Sequence, residues 1–321
     1  MTISHHSHSG QFCCHAKGTL AEVVEEAIDQ GFTTFGLSEH VPRYSEEHFY
    51  PEESHLTVQD LMDTFEAYLV EAHRLKEEHA EKCDLLVGLE TEYIDEDGLI
   101  RLEQLLEKHT GKIEYLVGSV HHCDAAPIDF DKERFDACHS SQPGDSDRAR
   151  LEHLLGIYFD NQYKILSRLQ PEVVGHFDLC RLYYPDTDFK AFPAVWARIE
   201  RNIDFAVSYG ALFEINASAF RKGWQTAYPG ADVFDLIARK GGRFTLSDDS
   251  HGPQAVGLNY DRAYRYMSDR RLGALWRLER AHKGAAGAFR RGCRAVKVDG
   301  QPWLDQWPAL LTRSRETRVR V

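Results

Sequence analysis

No stretch of this 321-residue chain approaches the roughly 20 consecutive apolar residues that a bilayer-spanning helix requires. The amino terminus lacks a basic segment followed by an apolar one, so no secretory signal is expected there. Positive charge is in short supply: 38 Lys and Arg stand against 51 Asp and Glu, a formal net charge of −13. That balance excludes general binding to nucleic acid, which requires a basic face to displace counterions. An anionic small molecule is not excluded, because bound divalent cations reverse the sign of a pocket locally. Seven cysteines, an odd number, are scattered rather than set in a disulfide framework. A reduced, cytoplasmic compartment is the expectation. Tandem repeats, low-complexity tracts and an evident linker are all lacking, so a single domain over 1–321 is expected. Against the acidic average, Ala281 to Val321 carries nine Lys or Arg and three Asp or Glu, a local +6. This segment reads as a solvated surface tail with a final apolar strand.

What the chain does have is a recurring ending. Six stretches run apolar for four to six residues and then close on a histidine or a carboxylate: Ile3–His8, Thr33–His40, Asp84–Glu92, Tyr115–His122, Val173–Asp178 and Phe244–His251. Strands that share one sheet or barrel bring such endings to one rim, where nitrogen and oxygen donors make a metal site. One histidine per strand is not what a packed core requires.

Between these runs the apolar period changes to that of a helix. Leu20–Gln30 places apolar residues at Leu20, Val23, Val24, Ala27 and Ile28, with Thr19 as N-cap. Thr57 opens a longer amphipathic helix through Leu61, Phe65, Leu69 and Ala72, whose charged far end reaches Lys82. Leu99–Lys108, Leu151–Leu169, Ala191–Val207 and Asp232–Lys240 repeat the pattern, and Ala211–Ala217 adds a seventh strand. This alternation, with right-handed crossovers, predicts an α/β fold on a parallel sheet, closed or open. Polar, proline-bearing insertions at about 41–56 and 123–147 each follow a ligand-bearing strand end, where loops shape a barrel's substrate pocket.

His6 and His8 flank Ser7, and residues two apart on a strand project to one face, so the pair delivers two imidazoles to one ion. His5 alternates to the other side. His15 follows in the loop before the first helix, and His40, Glu90, His121 and His176 close SEH, GLE, GSVH and GH. Asp249 and His251 form a second same-face pair in DSH. These nine candidates exceed the about four donors that one zinc takes, and three ions sharing a bridging carboxylate would use them all. Mixed nitrogen and carboxylate donors suit zinc, iron or manganese. Singly, each motif is as well explained by packing: His176 by a core hydrogen bond, Gly88 and Gly118 by close backbone approach. Packing does not put the same ending on six strands. Cys13 and Cys14 are adjacent rather than spaced C-x-x-C and read as packing residues. The histidines at 48, 55, 73, 79, 109, 139, 153 and 282 read as solvated groups.

In this order the endings resemble the polymerase-and-histidinol-phosphatase (PHP) metallohydrolase superfamily over roughly Ile3 to Tyr260: HxH, a lone His, a Glu, two lone His and a final DxH. More narrowly, HSHSGQFCCHA, LSEHVPR, GLETEY, GSVHH, GHFDL, EINASAFRKG and SDDSHG are similar to monofunctional histidinol-phosphate phosphatases, the fungal type especially. The resemblance implies a distorted (β/α)7 TIM-like barrel, the PHP fold. It also implies two or three divalent ions and hydrolysis of histidinol phosphate in histidine biosynthesis. A first ion would take His6, His8, Glu90 and Asp249, a second Glu90, His121 and His176, and a third His15, His40 and His251. Two departures stand out. Ser9 replaces the Thr common after HxH, and Asp248 competes in principle with Asp249, although Asp249 shares a face with His251.

Hydrolysis of a phosphate monoester requires an in-line nucleophile, neutralised oxygens and a proton for the alkoxide leaving group. A bound metal ion lowers the pKa of water toward about 7, which makes hydroxide available at neutral pH. Asp248 and His122 are candidate acids for the leaving group. Arg221 and Lys222 after EINASAF, Arg43 in VPR and Arg181 after GHFDLC lie at the same predicted face as candidate phosphate binders. Glu92, Glu214 and the loop after Val41 are candidate acceptors for the substrate's ammonium and imidazole ends. Three other readings remain: a phosphoesterase of this superfamily acting on a nucleotide or nucleic-acid 3′ end, a metal-binding protein without turnover, and an amidohydrolase-type barrel. Acidic charge disfavours long nucleic acids, phosphate clamps at the rim disfavour storage, and no lysine ends a strand as the amidohydrolase bridge requires. Assembly into a homo-oligomer is left open.

Overall fold

In the computed structural model, which describes residues 2–282 and 284–298, the chain alternates strand and helix as its periodicity predicts. The order is β1 (Thr2–Ser4), β2 (Ser7–His8), α1 (Leu20–Asp29), β3 (Phe32–Leu37), α2 (Val58–Glu78), β4 (Asp84–Glu90), α3 (Glu96–Lys108) and β5 (Tyr115–Gly118). A short antiparallel pair follows, β6 (His122–Cys123) and β7 (Ala126–Pro127), then α4 (Lys132–Ser141), α5 (Asp147–Leu169), β8 (Val173–Val174) and α6 (Pro193–Tyr209). Next come β9 (Leu212–Asn216), the single turn α7 (Ser218–Arg221), α8 (Ala231–Arg239), β10 (Arg243–Ser247), β11 (Ser250–His251) and α9 (Tyr260–Asp269). An antiparallel hairpin, β12 (Trp276–Arg280) and β13 (Cys293–Lys297), ends the described chain. Thr19 with Glu22 and Thr57 with Asp60 form capping boxes at α1 and α2, each satisfying orphan amides of the first turn.

Seven strands form one sheet in the order β1-β3-β4-β5-β8-β9-β10, every neighbour parallel. β1 and β10 share no ladder. They are joined instead by the Ser4 hydroxyl, which donates to Asp248 Oδ1 at 2.8 Å, and by Thr245 Oγ1, 3.0 Å from His5 Nδ1. Above them β2 pairs with β11 in parallel. The result is a nearly closed, distorted α/β barrel. No helix among the described residues is long and apolar enough to cross a membrane.

Several expected strands are shorter than their apolar runs. Ile3–His8 breaks after Ser4, because hydroxyls replace ladder bonds there: Ser38 Oγ accepts from the Ser7 amide at 3.0 Å, and Ser7 Oγ donates to the Gly36 carbonyl at 2.8 Å. Val173–Asp178 pairs only at its first two residues. Helix α4 inside the 123–147 insertion, helix α9 and the β12–β13 hairpin were not expected, although α9 does carry a helical period, burying Tyr260, Ala263, Tyr264 and Met267 along one face. The part of the basic carboxyl-terminal segment beyond residue 298 lies outside the described residues.

Alternation along β4 sorts side chains between two cores. Leu85, Val87 and Leu89 point outward into the large layer between strands and helices. Leu86 points inward with Tyr115, Val117, Val173 and Leu212, and the hairpin residues Leu278 and Cys293 join this small inner cluster. A Cβ on Gly88 would lie 2.3 Å from the Tyr115 ring, so this glycine makes room for the aromatic. The next inward residue on β4 is Glu90, where the filling changes from apolar to polar. Below, His5 accepts from the Leu278 amide through Nε2 at 3.0 Å. Burial, then the nearby Arg277 charge, lowers the His5 pKa to about 3. His79, His109 and His139, expected to be solvated, are buried. His109 sits edge-on against Phe65, and His139 lies 3.2 Å from the Asp147 carbonyl.

Candidate metal centre

The site is built on the carboxyl-terminal ends of the barrel strands, around Glu90 at the end of β4. Glu90 Oε1 lies 3.1 Å from His6 Nε2, 3.2 Å from His121 Nε2 and 3.0 Å from His176 Nε2. Its Oε2 lies 2.9 Å from His40 Nδ1 and 3.4 Å from His8 Nε2. Asp249 Oδ1 stands 3.8 Å from His6 Nε2 and 3.7 Å from His8 Nε2. Asp249 reaches the cluster because its left-handed backbone (φ 48°) breaks the strand alternation after β10. The His251 ring lies tilted 4.6 Å from that of His8 and 5.0 Å from that of His15. The structure therefore brings together all nine side chains singled out by the strand endings.

Their grouping overlaps the implied partition without reproducing it. Among the described residues, donor atoms within 4.8 Å of one another form the triads His6/His8/Glu90, Glu90/His121/His176, His6/His176/Asp249, His8/His40/His251 and Cys13/His15/His40. His8 thus stands with His40 and His251 where His15 was expected. Cys13, read as a packing residue, has its Sγ 3.2 Å from His15 Nε2.

Two observations test whether this set fits divalent ions. The buried His6 Nε2, both ring nitrogens of His8 and His40 Nε2 have no hydrogen-bond partner, a costly state that coordination would relieve. Several of these rings are also backed by a carboxylate on the far nitrogen, the usual arrangement of metal-bound imidazole. His6 Nδ1 lies 2.8 Å from Glu214, His121 Nδ1 2.7 Å from Glu92 and His15 Nδ1 3.1 Å from Glu52. Both observations favour ions at this place.

Electrostatics divide the set: against burial, Glu90 and the other nearby carboxylates hold His6 and His121 well above the ordinary imidazole value, while the carboxylates and two other imidazoles shift the opposite way. Burial alone would raise the Glu90 carboxyl, but His6, His121 and His40 reverse that and hold it well below the usual carboxylate range. Asp249 is likewise raised by burial and lowered further by His6, His251 and His8. Burial, then the charge of His8, keeps His40 and His251 well below the ordinary imidazole value. Neutral imidazoles and ionised carboxylates are the forms that bind metal.

Other expected site residues fare differently. A cavity of about 400 Å³ opens over the cluster, and Arg221, Lys222 and Lys17 line it with His15, His40, Glu90, His121, His176, Asp249 and His251. Arg221 and Lys222 pair with no carboxylate among the described residues. Arg181 is not brought to the cavity: it is buried against Asp178 (2.6 Å) and Asp232 (2.7 Å) and lies 4.3 Å over the Phe189 ring. Arg43 is likewise consumed by Glu53 and by the Tyr50 ring at 5.1 Å.

Asp248 is turned the other way, accepting from Ser4 and from the Gly257 amide (2.7 Å). Burial pushes its pKa up to about 6, but it does not face the reacting space. His122 is buried outside the cavity lining, with Nδ1 3.1 Å from Glu92. Glu92 accepts from the His121 amide and faces both His121 and His122, and Glu214 faces His6 and accepts from the His176 amide at 2.7 Å. Both carboxylates orient histidines rather than standing free for a ligand. Sequence reasoning missed Asn216 and Ser218, which hold Asp249 Oδ2 at 3.2 and 3.0 Å and leave Oδ1 toward the cluster. It also missed Asp129, a cavity residue in the 123–147 insertion. A polar loop offers no period from which such a side chain's direction could be read.

A parallel α/β barrel with imidazoles and carboxylates converging at its carboxyl-terminal rim defines a candidate metallohydrolase. Residues 4–218 match the PHP domain family, and the chain belongs to that family. It is 45% identical over 287 residues to a Schizosaccharomyces pombe protein named "Probable histidinol-phosphatase", covering 88% of this chain and 92% of the relative. It is 32% identical over 300 residues to the histidinol-phosphatase of Saccharomyces cerevisiae, covering 83% and 88%. The solved histidinol phosphate phosphatase of Lactococcus lactis shares the fold at TM-score 0.58 and 18% identity, over 83% of this chain and 92% of that one. That structure was determined with zinc, L-histidinol and phosphate.

Proposed function

We propose that this protein is a histidinol-phosphate phosphatase, hydrolysing L-histidinol phosphate to L-histidinol and phosphate in histidine biosynthesis. One observation carries the reading: three cations with no carboxylate partner among the described residues, Lys17, Arg221 and Lys222, share a cavity with the Glu90 cluster. A metal store has no need of cations beside its ligands, whereas a phosphate ester requires both. The names of the two curated relatives and the contents of the Lactococcus lactis structure support this substrate.

His6, His8, His15, His40, Glu90, His121, His176, Asp249 and His251 would hold two or three divalent ions, with zinc favoured over iron or manganese by the Lactococcus lactis complex. When bound, such ions neutralise phosphate oxygens and supply hydroxide at neutral pH. The chain's own work is placement. Glu90 presents its two oxygens to opposite halves of the cluster, Oε1 toward His6, His121 and His176 and Oε2 toward His8 and His40. Asn216 and Ser218 fix Asp249, while Glu214 and Glu92 fix the tautomers of His6 and His121. Arg221 and Lys222 bind and orient the phosphoryl group from the rim, and the guanidinium fork matches two of its oxygens.

The cavity also suits a small monoester better than a long nucleic acid, since the chain carries net negative charge. Steady-state phosphate release from histidinol phosphate and from a 3′-phosphonucleotide tests the reading. A clear preference for histidinol phosphate is expected; equal rates, or a preference for the nucleotide, would refute it.

A further inference from the structure

The substrate proposed above carries a cation next to its phosphate end, and the cavity contains a carboxylate placed to receive it. Three acidic side chains line the cavity, Glu90, Asp249 and Asp129. Glu90 and Asp249 face the histidines. Asp129 acts on His15 only through its charge: its Oδ1 is buried without a hydrogen-bond partner, and no Lys, Arg or His among the described residues forms an ion pair with it. An unpaired carboxylate oxygen shielded from water is costly unless a ligand completes it.

The backbone around Asp129 is held firmly. The Tyr183 hydroxyl donates to the Asp129 carbonyl at 3.2 Å, the Ile128 amide donates to the His121 carbonyl at 2.9 Å, and Asp131 caps α4. The loop therefore presents its carboxylate from a fixed base. Beside it, Phe130 leaves 39% of its surface exposed and stacks on Tyr50, with ring centroids 5.8 Å apart and planes 28° apart. Tyr50 is itself pinned by Arg43 and lies 5.5 Å from His122. Both rings line the same cavity as Asp129. A carboxylate beside an aromatic wall, facing a phosphate-binding rim, matches an ester with an ammonium and a flat heteroaromatic ring.

We propose that Asp129 is the specificity residue that binds the substrate ammonium, with Phe130 and Tyr50 packing against the imidazole. This inference rests on the histidinol-phosphate reading and adds to it the residue that distinguishes this substrate from other monoesters. Asp129 touches the substrate away from the phosphorus and is placed to act on affinity more than on the chemical step.

The test crosses one substitution with one missing group. Wild type and Asp129→Asn are assayed on histidinol phosphate and on its deamino analogue, which keeps phosphate and imidazole but lacks the ammonium. Wild type is expected to favour the amino-bearing ester by roughly 10- to 100-fold in kcat/KM, mainly through KM, as loss of a charge-assisted hydrogen bond implies. Asp129→Asn is expected to lose that preference. Product inhibition gives a second reading, with histidinol inhibiting the variant less and inorganic phosphate inhibiting it as before. A preference that survives in the variant, or wild type treating the two esters alike, overturns the proposal. Failure of wild type to hydrolyse either ester would instead overturn the functional reading beneath it.

Discussion

Nδ1 of His6 lies 2.8 Å from Glu214 Oε1, while Nε2 of the same ring lies 3.1 Å from Glu90 Oε1. One imidazole is thus held by a fully buried carboxylate behind it and presented to another in front. Glu214 also accepts from the His176 amide and the Ser247 hydroxyl, so a single side chain sets two candidate ligands. Glu214→Gln should keep the shape and weaken divalent-metal affinity, by roughly 10- to 100-fold for loss of such a partner. Glu92→Gln should do the same through His121. Zinc titration against a competing chelator measures both, and unchanged affinity would show that these carboxylates only pack.

Arg221 and Arg181 were equivalent candidates in the sequence, and the structure separates them. Arg221→Ala should raise KM for the phosphate ester by about tenfold or more, consistent with losing a charge-assisted bond of ~1.5–3 kcal/mol. Its melting temperature should hold. Arg181→Ala removes the buried partner of Asp178 and Asp232 and should cost about 3–5 kcal/mol of stability instead. Urea unfolding alongside steady-state kinetics distinguishes them, and the opposite pattern would reverse the assignment.

His5 gives the barrel floor a pH dependence. Its folded pKa is lowered to about 3, so the unfolded chain takes up a proton near pH 6.5 that the folded protein refuses. The contribution is therefore fully present above pH 6.5 and is lost as pH falls from there toward 3, by at most on the order of 5 kcal/mol. His5→Gln keeps an acceptor for the Leu278 amide but cannot titrate. Between pH 7 and pH 5 its urea midpoint should fall less than that of wild type; an equal fall would remove His5 from the acid response.

The legible parts of this molecule are those governed by a period. Glu90 could be read as an inward residue because Leu86, Gly88 and Glu90 alternate with outward Leu85, Val87 and Leu89. Helices α1 and α2 could be read from their apolar stripes and their Thr caps. Where the partner is distant in sequence, reading fails. Arg181 could not be seen to face Asp232, 51 positions away, and Asp248 could not be seen to bond Ser4 across the barrel seam. His109 and His139 looked solvated because their neighbours are polar in sequence, yet tertiary packing buries them. Asp129 lies in an insertion where only the backbone anchors at Ile128 and Tyr183 determine what it faces.

The central claim is that nine dispersed side chains, meeting at Glu90, form one ion cluster on which phosphate release depends. Elemental analysis of purified wild type and Glu90→Gln, paired with their activity on histidinol phosphate before and after chelation, tests it most directly. Wild type should carry two or three divalent ions per chain, lose activity with them and recover it when metal is returned. Glu90→Gln should fold, retain fewer ions and release no phosphate. A metal-free wild type that is fully active, or a Glu90→Gln protein that turns over normally, would contradict the account.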